Sequence, residues 1–219
     1  GGFDLLCNSL LSQDYTNYEL IVIDDLVGRD LSNKIINMGI PLRFYGKSKD
    51  KSYPDTKFGE MNAINTALLH CTGDITVIME DYLWLPSYSM RKWNKVYNTL
   101  PQSYLTTAVG ITWDYKPPDR INDYSIWNKE FNGDFTDLKV RQLWVPGIHR
   151  LDLWDWVYAA VPMDAWIKMN GVDERFDYFM LYSIYFKFQC VMNNLQFYHD
   201  QNHIVNLIAH WNWNLGDVS

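Results

Sequence analysis

Positive charge is scarce in this sequence. Lysine and arginine together number 19 against 26 aspartates and glutamates, a net charge of -7, and they form no cluster. A nucleic-acid backbone is held by clustered Lys and Arg, so a nucleic-acid partner is not expected; an anionic nucleotide carried on a metal is still compatible. Cysteine is sparse too. Cys7, Cys71 and Cys190 are odd in number and far apart, which suits neither a disulfide framework nor a zinc site and reads as small buried side chains in a reducing compartment. No apolar run approaches transmembrane length and no charged-then-apolar segment opens the chain. A cytoplasmic protein with no transmembrane segment is therefore expected.

What is abundant is aromatic. Phe, Trp and Tyr make up 16% of the 219 residues, with 10 Trp and 15 Tyr. Most such rings fill cores, but a sugar-binding cleft also uses them as flat stacking platforms. The 47% hydrophobic and 21% charged residues are ordinary globular values, and the length suits one domain.

Residues Leu5 to Leu11 are apolar at helical spacing, Thr16 and Asn17 make a turn, and Tyr18 to Asp25 reads as a strand. In that strand Leu20 to Ile23 run without alternation into Asp24 and Asp25, the pattern of a strand buried on both faces. Leu31 to Met38 reads as a short helix, Leu42 to Tyr45 as a short strand and Lys47 to Lys57 as a polar loop. Glu60 to His70 has helical spacing, stopped by Thr72-Gly73-Asp74. Ile75 to Met79 is a second buried strand, closed by Glu80 and Asp81. This alternation predicts an α/β fold with a mostly parallel sheet and crossover helices. Further on, Tyr115 to Asp137 reads as a long surface loop, Ala160 to Met169 as a helix terminated by Gly171, and Tyr178 to Met192 as another helix.

Ligands of such sheets bind beyond the carboxyl ends of the strands. If the two acid-ended strands are neighbours, Asp24, Asp25, Glu80 and Asp81 gather where a ligand would sit. The plain alternative is that these acids cap and solvate strand ends.

Three blocks carry a family resemblance. "SLLSQDYTNYELIVIDD" (Ser9 to Asp25) resembles the opening of family 2 glycosyltransferases. "GEMNAINTALLHCTGDITVIMEDYLWLP" (Gly59 to Pro86) resembles that family's next block, and "MNGVDERFDYF" (Met169 to Phe179) is similar to its Gly-Gly-Phe-Asp-Glu-Arg-Phe segment. The blocks stand in the family's order. The resemblance implies a GT-A fold over 1–219, with a nucleotide-binding half in 1–100 and an acceptor half in 101–219. It further implies a nucleotide-sugar donor, UDP-sugar favoured, a glycan or other hydroxyl acceptor, and Mn2+ or Mg2+.

Carried over by position, Asp25 with Asp24 beside it would hold the nucleobase or ribose, whose N–H or hydroxyl donates to a carboxylate. Asn65 is a further donor-binding candidate, with a surface helix residue as the alternative. Asp81 and Glu80 stand at the metal motif, where hard oxygen ligands bridge a divalent ion to the donor's phosphates; Tyr82 occupies a position that is often acidic in the family. A late histidine, His210 or else His203, would complete the metal shell. The tryptophans Trp144, Trp154, Trp156, Trp211 and Trp213 could line an acceptor site or pack in the core.

Two departures stand out. The family's opening strand has no counterpart ahead of Gly1-Gly2-Phe3, so either the fold lacks it or the numbering starts after it. The family's Glu-Asp pair, whose Asp takes the acceptor's proton in inverting members, falls near Tyr182 and Ser183, neither of which is a strong base at neutral pH. Asp177 is the nearest substitute base, with a turn or cap as its other use. A competing motif is "HDQNH": His199 and His203 at i and i+4 would share a helical face as in a zinc hydrolase. The preceding "LQFYHD" reads instead as a strand running into a loop. A non-catalytic nucleotide- or glycan-binding module is the alternative of a different class.

Overall fold

The computed structural model describes residues 2–25, 28–49, 59–81, 83–101, 104–114, 139–144, 158–177 and 182–209. Helix α1 (Gly2–Leu11) buries Phe3, Leu6, Cys7 and Leu10 along one face while Leu11 faces solvent; residues three and four apart line one side of a helix. Strand β1 (Leu20–Ile23) pairs in parallel with β2 (Leu42–Gly46) through the crossover helix α2 (Ser32–Asn37). In β1 Leu20 is buried and Ile21, Val22 and Ile23 are half-buried, so the apolar run is less enclosed than its composition implies.

Helix α3 (Glu60–Leu68) leads to β3 (Ile75–Val77), a short β4 (Leu83–Trp84) and α4 (Ser89–Thr99). Beyond them run the long β5 (Tyr104–Asp114), β6 (Lys139–Trp144), β7 (Ala159–Pro162), α5 (Met163–Met169), a 3-10 turn (Glu174–Phe176), α6 (Tyr182–Met192) and β8 (Gln196–Ala209). The larger sheet runs β3-β7-β5-β8-β4, with β6 on β5. It is mixed: β5 and β8 are parallel, whereas β3 with β7, β5 with β7, β5 with β6 and β4 with β8 are antiparallel. Strand β3 stops at Val77, short of the expected Met79, so Glu80 and Asp81 follow it three and four residues later; β1 and β3 belong to different sheets and are not hydrogen-bonded neighbours.

Two expectations are corrected here. Residues Ala159 to Pro162 form β7 rather than the start of a helix, because Ala160 and Val161 pair with β3 and Pro162 stands at the N-cap of α5. Asn170 and Gly171 then end α5 at positive φ, 58° and 73°, the left-handed closure that glycine adopts freely. The segment around His199 continues as β8 instead of turning into a loop or helix. The loop expected at 115–137 lies outside the described residues.

The core joins both sheets. Leu5, Leu10, Ile35, Leu83, Leu85, Leu105, Val161 and Phe186 are almost wholly buried, and Trp166 donates from Nε1 to Thr76 Oγ1 at 2.6 Å, fixing α5 on β3. Among the described residues no helix is long and apolar enough to cross a membrane.

Candidate functional site

The chain leaves β1 at Asp24, which is 3% exposed. Its backbone N–H donates to Gly46 O at 2.8 Å, extending the β1-β2 pairing by one residue. Its carboxylate oxygen Oδ2 accepts two side-chain donors, Arg29 Nε at 2.5 Å and Tyr45 Oη at 2.6 Å. Burial and then the bond to Asp24 push the Tyr45 phenol above its ordinary range. For Arg29, burial acts to lower the pKa, but the hydrogen bond and charge of Asp24, with the charge of Asp81, outweigh it and hold the guanidinium more firmly protonated. Asp25 is half-buried and faces β2's exit: Ser48 donates to it from the backbone N–H at 2.9 Å and from Oγ at 2.6 Å.

Beyond β3 the chain reaches Glu80, half-buried, and Asp81, exposed. Although β1 and β3 lie in separate sheets, Asp81 is close enough for its charge to act on Arg29. Arg29 thus bonds Asp24 and feels the charge of Asp81. Among the described residues no group of three or more His, Cys, Asp and Glu side chains forms a metal cage. The oxygen donors of Glu80 and Asp81 still fit a hard divalent ion of the kind bound by one or two carboxylates together with substrate phosphates. His210 lies outside the described residues, as do Trp154, Trp156, Trp211, Trp213 and Tyr82; Trp144 is placed only as the last residue of β6.

A second polar cluster gathers around Glu174. Asn65 on α3 makes a reciprocal pair with Val172, donating from Nδ2 to its carbonyl at 2.8 Å and accepting its N–H at 2.9 Å. Asn65 also donates to Glu174 at 2.7 Å, Asn62 does so at 3.2 Å, and Lys49 Nζ pairs with the same carboxylate at 2.6 Å. Burial acts to raise the Glu174 pKa, but Lys49 and Asn65 outweigh it and hold the carboxyl below its usual range. Asn65 is therefore engaged in tying α3 to the turn before Glu174.

Asp177 belongs to the same cluster. It is 4% exposed, and its two oxygens accept the backbone N–H groups of Met61 at 2.6 Å and Asn62 at 3.3 Å. Residue Gly59 at the N-cap of α3 has no side chain with which to cap the helix; Asp177 supplies the missing acceptor. The residue expected as a substitute base thus serves as a helix cap. Tyr182 and Ser183 open α6.

The histidine motif is broken up by a bulge. Thr107 of β5 pairs with His199 of β8 and Val109 with Ile204, so β8 carries extra residues that swell toward α4. There Lys92 Nζ bonds Asn202 O and pairs with Asp200. His203, 1% exposed, packs against Trp93 with ring centroids 4.5 Å apart. Burial, followed by the charge of Lys92, holds the His203 pKa down to about 3. His203 is a neutral core residue, and the helical zinc reading has no helix to stand on.

Arg29, Tyr45, Ser48, Lys49 and Glu174 were not singled out from the sequence. Glu174 had a signal, since it lies inside the Met169-to-Phe179 block; Arg29 had a fainter one, a lone cation four residues after the acid pair.

A family model described as Glycosyl transferase family 2 matches residues 6–136. The chain belongs to family 2 of the glycosyltransferases. Solved structures agree in fold. The mannosyltransferase PcManGT from Pyrobaculum calidifontis, in complex with GDP-Man and Mn2+, is 13% identical with a TM-score of 0.58, over 94% of this chain and 52% of that one. GalNAc-T7 with UDP, GalNAc and Mn2+ is 8% identical with a TM-score of 0.63, over 93% and 40%. S. aureus TarS 1-349 in complex with UDP is 13% identical with a TM-score of 0.58, over 94% and 56%. This family 2 chain therefore spans about half the length of the structures it resembles, and its likeness to them is one of GT-A fold. A search of curated proteins found no match.

Proposed function

We propose that this family 2 glycosyltransferase moves a sugar from a nucleoside diphosphate sugar to an acceptor hydroxyl. The observation that supports the reading is that Arg29, bonded to Asp24 at the end of β1, also feels the charge of Asp81 beyond β3, which draws the acids that follow the two strands toward one locus. Both Asp25 oxygens accept from Ser48, and a carboxylate oxygen accepts more than one donor, so a ribose hydroxyl or a base N–H is the kind of partner Asp25 would take. Asp81, with Glu80, would hold Mn2+ or Mg2+. Bound there, the ion would neutralise charge building on the departing diphosphate.

In the transfer the acceptor oxygen bonds to the anomeric carbon as the bond from that carbon to the diphosphate oxygen breaks, and the acceptor's proton must leave. Asp177 is a poor candidate to take it, because its oxygens are occupied by helix amides. Inversion at the anomeric carbon is the family's expectation. UDP-sugars are the favoured donors, and the acceptor is a glycan or another hydroxyl compound.

The occupied Asp177 also favours a second reading, a glycosyltransferase-like module that binds nucleotide or glycan without turning it over. Calorimetric titration of UDP and GDP, with and without Mn2+, tests the first reading on wild type and Asp81→Ala. Metal-dependent binding that is lost in the variant is the expected result; absence of nucleotide binding to the wild type overturns it. Binding without transfer and without slow donor hydrolysis would select the module.

A further inference from the structure

Asp24 is badly placed to touch a nucleotide. At 3% exposure, with Arg29 and Tyr45 both donating to Oδ2, it has almost no surface to offer a ligand. What it does offer is a fixed anchor for a cation. Gly28 precedes Arg29 with φ of 73°, a left-handed step that glycine takes at no steric cost. Arg29 then returns to the acid five residues before it.

The anchoring uses one edge of the guanidinium. Nε bonds Asp24, the side chain remains 35% exposed, and among the described residues no acceptor takes the Nη groups. A planar fork held by Nε keeps its Nη donors for a second anion, the two-point geometry that suits phosphate oxygens. The charges that act on it are those of the acids Asp24 and Asp81, while the cations Lys34, Arg43 and Lys49 pair elsewhere, with Asp4, Glu19 and Glu174. A diphosphate entering this edge brings more negative charge, which one divalent ion only partly offsets. It therefore needs a cation that is already fixed in place.

We propose that Arg29 is a phosphate-binding residue of this site: Asp24, itself held by Tyr45, anchors Nε, and the Nη edge receives the diphosphate of a nucleoside diphosphate alongside Asp81. Asp24 is then a positioning residue that acts through Arg29, and Asp25 alone of the pair meets the nucleoside. The inference rests on the donor-site reading above and adds to it a division of labour between nucleoside and diphosphate.

The test separates the two parts of the ligand. UDP and GDP are titrated by calorimetry in the presence of Mn2+, and uridine and guanosine are followed by ligand-observed NMR, on wild type, Arg29→Met, Arg29→Lys and Tyr45→Phe. Charge-assisted hydrogen bonds lost from Arg29→Met should weaken diphosphate binding on the order of ten- to a hundredfold, with nucleoside binding unchanged. Arg29→Lys, which keeps charge but not the fork, should fall between, as should Tyr45→Phe, which loosens the anchor. Arg29→Met that binds diphosphate like wild type, or that loses nucleoside in equal proportion, overturns the proposal while leaving the donor site standing. Wild type that binds no nucleotide removes both. Thermal unfolding of each variant identifies misfolding, and Arg29→Lys then decides: equal binding of diphosphate by Lys and Arg rejects the fork.

Discussion

Asp177 and Met61 are joined by a 2.6 Å hydrogen bond that spans 116 residues of sequence, carboxylate oxygen to backbone N–H. It ties the first turn of α3 to the segment that follows the 3-10 turn, and so connects the first half of the chain to the second. The site's second cluster depends on it, because Asn62 and Asn65 sit on the helix that this bond caps.

Removing that cap should be costly. Asp177→Ala is expected to lower unfolding stability by about 1–3 kcal/mol, the range for a lost cap that leaves buried N–H groups unmet. Urea denaturation measures it. If transfer activity is found, Asp177→Asn should retain most of it; a fall of about a hundredfold or more, the scale of a lost general base, would restore Asp177 to catalysis.

Gly171 has no room for a side chain. Its φ is 73°, and a Cβ placed there clashes with Asn65 Oδ1. Gly171→Ala should therefore displace Asn65 from Val172 and cost about 1–3 kcal/mol through strain and a broken buried hydrogen bond. Thermal unfolding of Gly171→Ala alone and with Asn65→Ala checks the coupling: the double variant should lose less than the sum.

The buried His203 makes stability depend on mild acid. Its folded pKa of about 3 lies below the ordinary 6.5, so the unfolded chain binds the proton more tightly. Its contribution is complete above pH 6.5 and is lost as pH falls toward about 3, at a rate approaching about 1.4 kcal/mol per pH unit. Denaturation between pH 7 and 4.5 should show this slope, and His203→Phe should flatten it. The carboxylates held low, Glu174 among them, add their own loss only at lower pH. An unchanged slope in the variant would show that other groups carry the effect.

The thiols should be silent until the fold opens. Cys7 and Cys190 are buried, and burial pushes Cys7 up to about 12 and Cys190 higher still. Cys71 is half-buried, and burial followed by the charge of Glu19 pushes it up to about 11. A thiol reagent at pH 8 should label Cys71 slowly and the other two only in denaturant, since the thiolate is the reacting form. Rapid labelling of Cys7 in the native protein would contradict this packing of α1.

Much of the candidate site was visible as residue types in order. Acids just past β1 and beyond β3, and the Val172-to-Phe176 block, mark where polar groups collect because they follow apolar segments of the chain. What those acids do could not be read that way. Asp24 and Asp25 are adjacent and chemically identical, yet one is buried against Arg29 and Tyr45 while the other faces Ser48. The HDQNH spacing suggested a helical pair; the bulge opposite Thr107 and Val109 made it a strand, with His203 in the core.

The sequence by itself determined the α/β class, the order of most elements in the first half and the family, because apolar periodicity, turn residues and motif order are local properties of the chain. The tertiary structure alone decided which partners each polar group meets. Asp177 reaches α3, Glu174 gathers Lys49, Asn62 and Asn65, and Arg29 lies within reach of Asp81 although β1 and β3 share no hydrogen bonds. Those pairings follow from how sheets and helices pack, and a carboxylate becomes a cap, an anchor or a ligand only when packing has set its burial and its donors.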